Sequence, residues 1–240
     1  RVTYEILRAM EERPTLVVWF FDQSGSLQKR RQEIRDRFNR IYEELGIVAR
    51  SKKDQPEKNG GDEPLLTSIL AFGNEVNLLT PKPTADIEEI RAAIDGVTQD
   101  DSGVERVFTA LYRGIEKYKG YRTGRGGASH KRNVLFIVVT DERGDDANGL
   151  DDTIKECRKY AIPVYVIGVP APFGRDIAYV KYVDPDPKFD QSPQWAEVDQ
   201  GPESVLPERV RLGYRDDYAS EPVIDSGFGP YALSRLAYET

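Results

Sequence analysis

The sequence predicts a doubly wound α/β fold, a mostly parallel sheet with helices on both faces. Three observations carry that prediction. Near-continuous apolar runs occur at residues 15–21 (TLVVWFF), in 133–141 (NVLFIVVTD) and at 162–169 (IPVYVIGV), as in strands buried on both faces. Helical patterns alternate with these strands, which is how a parallel sheet is built. Two acids, Asp22 and Asp141, each stand just past the end of such a run, at the edge where sheets of this kind bind ligands.

The first strand follows Pro14 and runs into Asp22, Ser24 and Ser26. After it Leu27, Ile34, Phe38, Ile41 and Leu45 recur at helical spacing, with Arg and Glu on the other face, and Gly46 stops the pattern. Residues 51–64 are polar and rich in breakers, so they read as a surface loop. LLTSILAFG (65–73) and EVNLLT (75–80) read as two strands joined by a tight Gly73-Asn74 turn. Ile87, Ile90 and Ile94 mark one helix. Val104, Val107, Phe108, Leu111, Ile115 and Tyr118 mark a longer one with a wide apolar face. GYRTGRGGASHKR (120–132) reads as a Gly-rich basic linker. Beyond the strand at 133–141, residues 151–160 read as a helix with Ile154 and Cys157 facing inward, and 162–169 as another buried strand.

From Pro170 the pattern weakens. Residues 171–227 are rich in Pro, Asp and aromatics; AYVKYV and RVRLGY are candidate strands, and no helical period returns until 230–240. Seven rings (Phe173, Tyr179, Tyr182, Phe189, Trp195, Tyr214 and Tyr218) argue against disorder there. The expectation is one domain over 1–240 with 171–227 as an insertion before the last helix. No internal repeat is visible.

Composition narrows the function. The 240 residues are 39% hydrophobic and 31% charged, with a net charge of −7 and a pI near 5.0, which suits a globular domain and disfavours non-specific nucleic-acid binding. Cys157 is the only cysteine, so no disulfide forms within the chain and the redox compartment stays open. No apolar run approaches the roughly 18 residues of a membrane span. The chain opens at Arg1 without an initiator Met or a signal-like start, and reads as a segment of something longer.

DQSGS by itself is compatible with an Asx-turn and helix cap. Taken alone, that reading comes first; a hard-cation site is the second, because Asp, Ser and Ser at alternate positions can aim oxygens inward. Together with Asp141 and the sheet pattern it favours the metal.

Asp-x-Ser-x-Ser after the first strand and an Asp after a later one resemble the von Willebrand factor A family and its metal-ion-dependent adhesion site. The matching residues are Asp22, Ser24 and Ser26, then Asp141 in VVTDE, where Glu142 replaces the family's usual Gly. The resemblance covers roughly residues 12–170, and LSRLAYET looks like the family's last helix. The family's remaining ligand, a Thr ahead of Ala-Leu, aligns with Glu105 before Ala110-Leu111. The resemblance implies a divalent cation, Mg²⁺ first with Ca²⁺ or Mn²⁺ as alternatives. It also implies a protein partner that offers an acidic side chain to the ion, and favours an extracytoplasmic or cell-surface setting. Glu105 would add a third carboxylate and make the centre formally net negative. The ion would then be held more tightly and attract a partner's carboxylate less. Ser102 or Thr98 in the same loop is the alternative hydroxyl donor, and Glu105 reads equally as a first-turn acid favoured by the helix dipole.

Other features carry less. Glu142, Asp145 and Asp146 read as a solvated acidic loop before a second ion site. Arg143-Gly144-Asp145 spells an adhesion tripeptide by chance. His130 reads as exposed, and Cys157 as a small apolar residue. An aspartyl phosphotransferase also places Asp22 at a first strand end, but needs a second Asp as acid/base where Ser24 stands. There is no Gly-x-Ser-x-Gly elbow, no phosphate-loop order, and a single His. A binding module is therefore expected before an enzyme. The alternatives are a hydrolase with Asp22 as nucleophile, or a metal-closed scaffold binding through 171–227.

Overall fold

A computed structural model describes residues 2–27, 41–42, 63–124, 131–140, 144–168, 172–173, 178–182, 186–192, 194–198, 224–225 and 231–240. The elements are α1 (Val2–Glu12), β1 (Thr15–Asp22), β2 (Leu65–Phe72), β3 (Val76–Leu78), α2 (Ile87–Asp95), α3 (Val107–Thr123), β4 (Asn133–Val139), α4 (Leu150–Tyr160), β5 (Val164–Ile167), β6 (Pro172–Phe173), β7 (Ala178–Tyr182), β8 (Gln194–Val198), β9 (Ile224–Asp225) and α5 (Tyr231–Glu239). Single 3₁₀ turns lie at Gly25–Leu27 and Ala147–Gly149.

The main sheet has the order β3-β2-β1-β4-β5. β1, β2, β4 and β5 are parallel, and β3 returns antiparallel along the β2 edge. This is the doubly wound architecture the alternating pattern predicts. β1 is central, with Trp19 between Ile69 and Ile137 in register. Successive strand side chains point to opposite faces, so β1 feeds two cores. Leu16, Val18 and Phe20 join Phe108, Leu111 and Ile115 of α3, Ile154 and Cys157 of α4, and Leu233 and Leu236 of α5. Val17, Trp19 and Phe21 join Ile6 of α1, Tyr42, and Ile90 and Ile94 of α2. All eight β1 residues are buried, and each large apolar side chain so buried contributes on the order of 1.5–3 kcal/mol. α3 lies close on the sheet at Gly114, where a Cβ would come within 2.5 Å of Phe20 Cζ.

Some boundaries differ from the sequence reading. The N-terminal residues were assigned no element, yet Val2–Glu12 form α1, with only Ile6 fully buried. Val104 lies ahead of α3, which starts at Val107 and runs through GYRT, the stretch read as the start of a linker. Tyr121 packs against the core cluster there, and the helix stops at Gly124, whose φ of +76° suits a left-handed cap. Of the helix expected after Leu27, residues 41 and 42 are helical, and the remainder lies outside the described residues. Among the candidate strands of 171–227, AYVKYV contains β7; RVRLGY lies outside the described residues, as does His130.

Candidate metal centre

β1 is buried along its whole length and delivers Asp22 to the carboxyl edge of the sheet, fully buried. Its two carboxylate oxygens have separate tasks. Oδ1 accepts the Ser24 N–H at 2.7 Å, closing an Asx-turn. Oδ2 accepts the Thr140 hydroxyl at 2.7 Å, from the residue that follows β4. The turn that could have explained DQSGS without a metal is thus present, and it also holds one carboxylate rigidly between two loops. Ser24 is buried, 4% exposed. Ser26 sits in the 3₁₀ turn that follows.

A second loop docks here through Gln23, which the sequence reading passed over. Its Nε2 donates to Thr98 O at 2.9 Å and to Thr98 Oγ1 at 3.2 Å. Its backbone carbonyl accepts the Asp100 N–H at 2.9 Å, and its own N–H reaches Phe72 O at 2.8 Å. Both hydroxyls held in reserve as ligands have structural contacts. Thr98 Oγ1 receives Gln23, and Ser102 Oγ accepts the Val104 N–H at 3.2 Å. Asp100 organises the loop, accepting the Ser102 N–H (2.8 Å) and the Asn74 N–H (2.7 Å). Gly73 makes room for it, since a Cβ there would lie 2.8 Å from Asp100 Cβ.

Glu105 ends this loop, just ahead of α3, and is buried at 2% exposure. Its peptide is held on both sides by Asp145. The Glu105 N–H donates to Asp145 Oδ2 and the Asp145 N–H to Glu105 O, both at 2.8 Å. Asp146 Oδ1 and Oδ2 accept the N–H groups of Phe108 (3.1 Å) and Thr109 (2.7 Å). Asp145 and Asp146 therefore do more than line a solvated loop. They bind backbone donors at the head of α3. Gly144 of the tripeptide is buried and Asp145 is tied into this contact, while Arg143 lies outside the described residues.

Asp141 and Glu142 lie outside the described residues, as does the side chain of Ser26. Among the described residues no group of three or more His, Cys, Asp or Glu side chains gathers; the expected carboxylate trio includes Asp141. Thr140 was missed as a separate participant, although the signal was present, a hydroxyl residue directly before the acid at a strand end. A cavity of about 190 Å³ opens at the opposite edge of the sheet, lined by Glu5, Arg8, Glu12, Arg122, Asn133 and Tyr165 among others, and contains none of the candidate ligands.

Residues 17–184 match the von Willebrand factor type A domain. Solved structures add weaker likenesses. Proximal thread matrix protein 1 from the mussel byssus, in a form with a zinc-occupied MIDAS motif, is 16% identical, with a TM-score of 0.44 over 66% of this chain. The chain spans 38% of that protein's length. An aerotolerance-related membrane protein from Bacteroides fragilis is 16% identical, with a TM-score of 0.46 over 77% of this chain and 81% of that one. The SpRpn10 VWA domain is 12% identical, with a TM-score of 0.38 over 65% of this chain and 75% of its own. No curated protein sequence matches significantly.

Proposed function

This chain belongs to the von Willebrand factor type A family, whose domains commonly mediate protein interaction, and from that membership we propose that it is a metal-dependent protein-binding module. Asp22, Ser24, Ser26 and Asp141 hold one divalent cation, with Glu105 as a further ligand. The observation that carries this reading is the Asp22 carboxylate, buried at the sheet edge and fixed by the Ser24 amide and the Thr140 hydroxyl at 2.7 Å each. Around it the chain offers hydroxyls and carboxylates, with no sulfur or imidazole among the proposed ligands. Such a set suits a hard cation with about six oxygen ligands, and Mg²⁺ best.

Bound there, the ion would supply a Lewis-acidic position for a partner's oxygen. The chain's own part is to hold the donors rigidly. Asp22 is pinned between the loops after β1 and β4, and Gln23 fastens the 98–105 loop beside it. With Asp22, Glu105 and Asp141 all charged, a dication leaves the centre formally net negative. The ion is then bound firmly, and a partner's carboxylate is attracted less than at a centre with fewer acids. Partner choice accordingly shifts away from the ion itself, and we assign it to the 171–227 segment with its rings, since Trp and Tyr are common interface anchors.

Calorimetry with Mg²⁺, Mn²⁺ and Ca²⁺ tests the centre. One site is expected, with binding abolished in Asp22→Ala. No binding by the wild type, or binding unchanged in that variant, removes the metal reading.

A further inference from the structure

Three consecutive residues after β4 each dock on the segment from Glu105 to Thr109, and each does so differently. Gly144 adopts φ +84° and lies so close to α3 that a Cβ would sit 2.8 Å from Val107 Cγ2. A side chain is excluded there by both conformation and space. Asp145 grips the Glu105 peptide at both its N–H and its C=O. Asp146 takes the next two helix donors, Phe108 and Thr109 N–H. α3 has no N-terminal side-chain cap of its own, since Arg106 at its N-cap makes no side-chain capping bond. The start of the helix and the residue two positions before it are therefore set by a loop about 40 residues further along the chain.

We propose that Asp145 is the positioning residue for Glu105, and that Gly144-Asp145-Asp146 is a clasp holding the Glu105 loop in register with the loop after β4. This rests on the metal reading above, since positioning matters because Glu105 is taken as a ligand. The physical case is one of order. A Glu carboxylate stands at the end of a flexible stem, and binding it to an ion costs the freedom of everything upstream. Fixing its peptide by two hydrogen bonds removes the backbone share of that cost before the ion arrives. Groups that orient metal ligands from behind are worth roughly 10–100-fold in metal affinity. Asp145 acts here through the main chain of the ligand residue. Its Oδ2 needs only to accept an N–H, a task an amide oxygen can also perform.

The test is a double-mutant cycle read by Mg²⁺ and Mn²⁺ calorimetry. Asp145→Ala should weaken binding by about tenfold. Asp145→Asn should stay close to wild type, because its amide oxygen still accepts the Glu105 N–H. In a Glu105→Ala background, Asp145→Ala should add nothing, because the group it positions is gone. Wild-type binding with no loss in Asp145→Ala, or an equal loss in both backgrounds, overturns the clasp and leaves the metal site standing. A wild type that binds no ion removes the metal reading, and the clasp with it. Hydrogen exchange on the wild type needs no variant. The Glu105, Phe108 and Thr109 amides should be protected together, and a Glu105 amide exchanging at the rate of a free loop overturns the proposal even if Asp145→Ala fails to fold.

Discussion

Asp146 and Asp86 perform the same chemistry at different ranges. Asp86 caps its own helix, accepting the N–H groups of Glu88 and Glu89. Asp146 caps α3 from another loop, 38 residues beyond Phe108. Losing a side-chain cap costs about 1–2 kcal/mol, so Asp146→Ala should lower the unfolding free energy read from urea titration by that much while Asp146→Asn loses less; equal stability of Asp146→Ala and wild type would show that the bonds contribute nothing. Cys157 supplies a second residue-scale prediction. It is fully buried, and burial pushes its thiol up to about 12, with Glu156 adding to the rise. At pH 8 it should resist thiol reagents in the native protein and react at once in urea. The inward-facing Cys157 was legible from helical spacing alone, and Asp22 and Ser24 from their place at a strand end. The contacts from Asp145 and Asp146 were not, because partners of a helix start are sought beside it in sequence and these come from a loop that only the folded sheet brings near. Gln23 was illegible for the same reason: its partner Thr98 lies 75 residues away.

Strands were the most legible elements, since β1, β2 and β4 are buried on both faces and carry no polar alternation. Ser68 is an exception inside β2, and the reason is a hydrogen-bond chain. Its Oγ pairs with Tyr118 Oη of α3 at 2.6 Å and with Thr80 Oγ1 at 2.7 Å, and Thr80 Oγ1 also accepts the Ile69 N–H at 2.9 Å. The chain fastens α3 to β2 and to the segment after β3. Helix α1 was less legible, because its first half leaves Tyr4 and Leu7 exposed and buries one residue. The Tyr118 hydroxyl gives the network a pH signature. Burial raises its pKa from 10.0 to about 12, against a smaller opposing effect of the Ser68 bond. In the unfolded chain it ionises near pH 10, while the folded chain still holds the proton. Its contribution to stability is therefore complete below pH 10 and is lost as the pH rises toward 12. Urea midpoints at pH 8 and pH 11 should fall further for wild type than for Tyr118→Phe. That variant should also lose about 1 kcal/mol at pH 8 for the missing hydrogen bond. An equal alkaline fall in both proteins would exclude Tyr118 as a source.

At the scale of the whole molecule, the question is which parts the fold needs. The sheet closes without 171–227. α5 is anchored directly on residues that precede the segment: Leu233 and Leu236 lie in the core with Ile154 and Cys157, Arg235 pairs with Asp151, and Thr240 Oγ1 accepts the Val164 N–H at 3.1 Å. Among the described residues, the strands in between form two separate two-stranded sheets, β6 with β9 and β7 with β8, outside the five-stranded one. β6 and β9 run antiparallel, with Pro172 opposite Asp225 and Phe173 opposite Ile224. The two ends of residues 174–223 are thereby held side by side. That geometry allows a specific excision. Two antiparallel strands whose last partners face each other can be joined by a two-residue turn, and Asn-Gly suits it because both positions need positive φ. Replacing residues 174–223 by Asn-Gly should leave cooperative unfolding and Mg²⁺ affinity close to wild type, because every proposed ligand lies elsewhere. Binding to the protein's partner, once captured by the full chain, should be lost. Failure of the shortened chain to fold would make the segment part of the core. Retained partner binding would instead return specificity to the loops around Asp22 and Glu105.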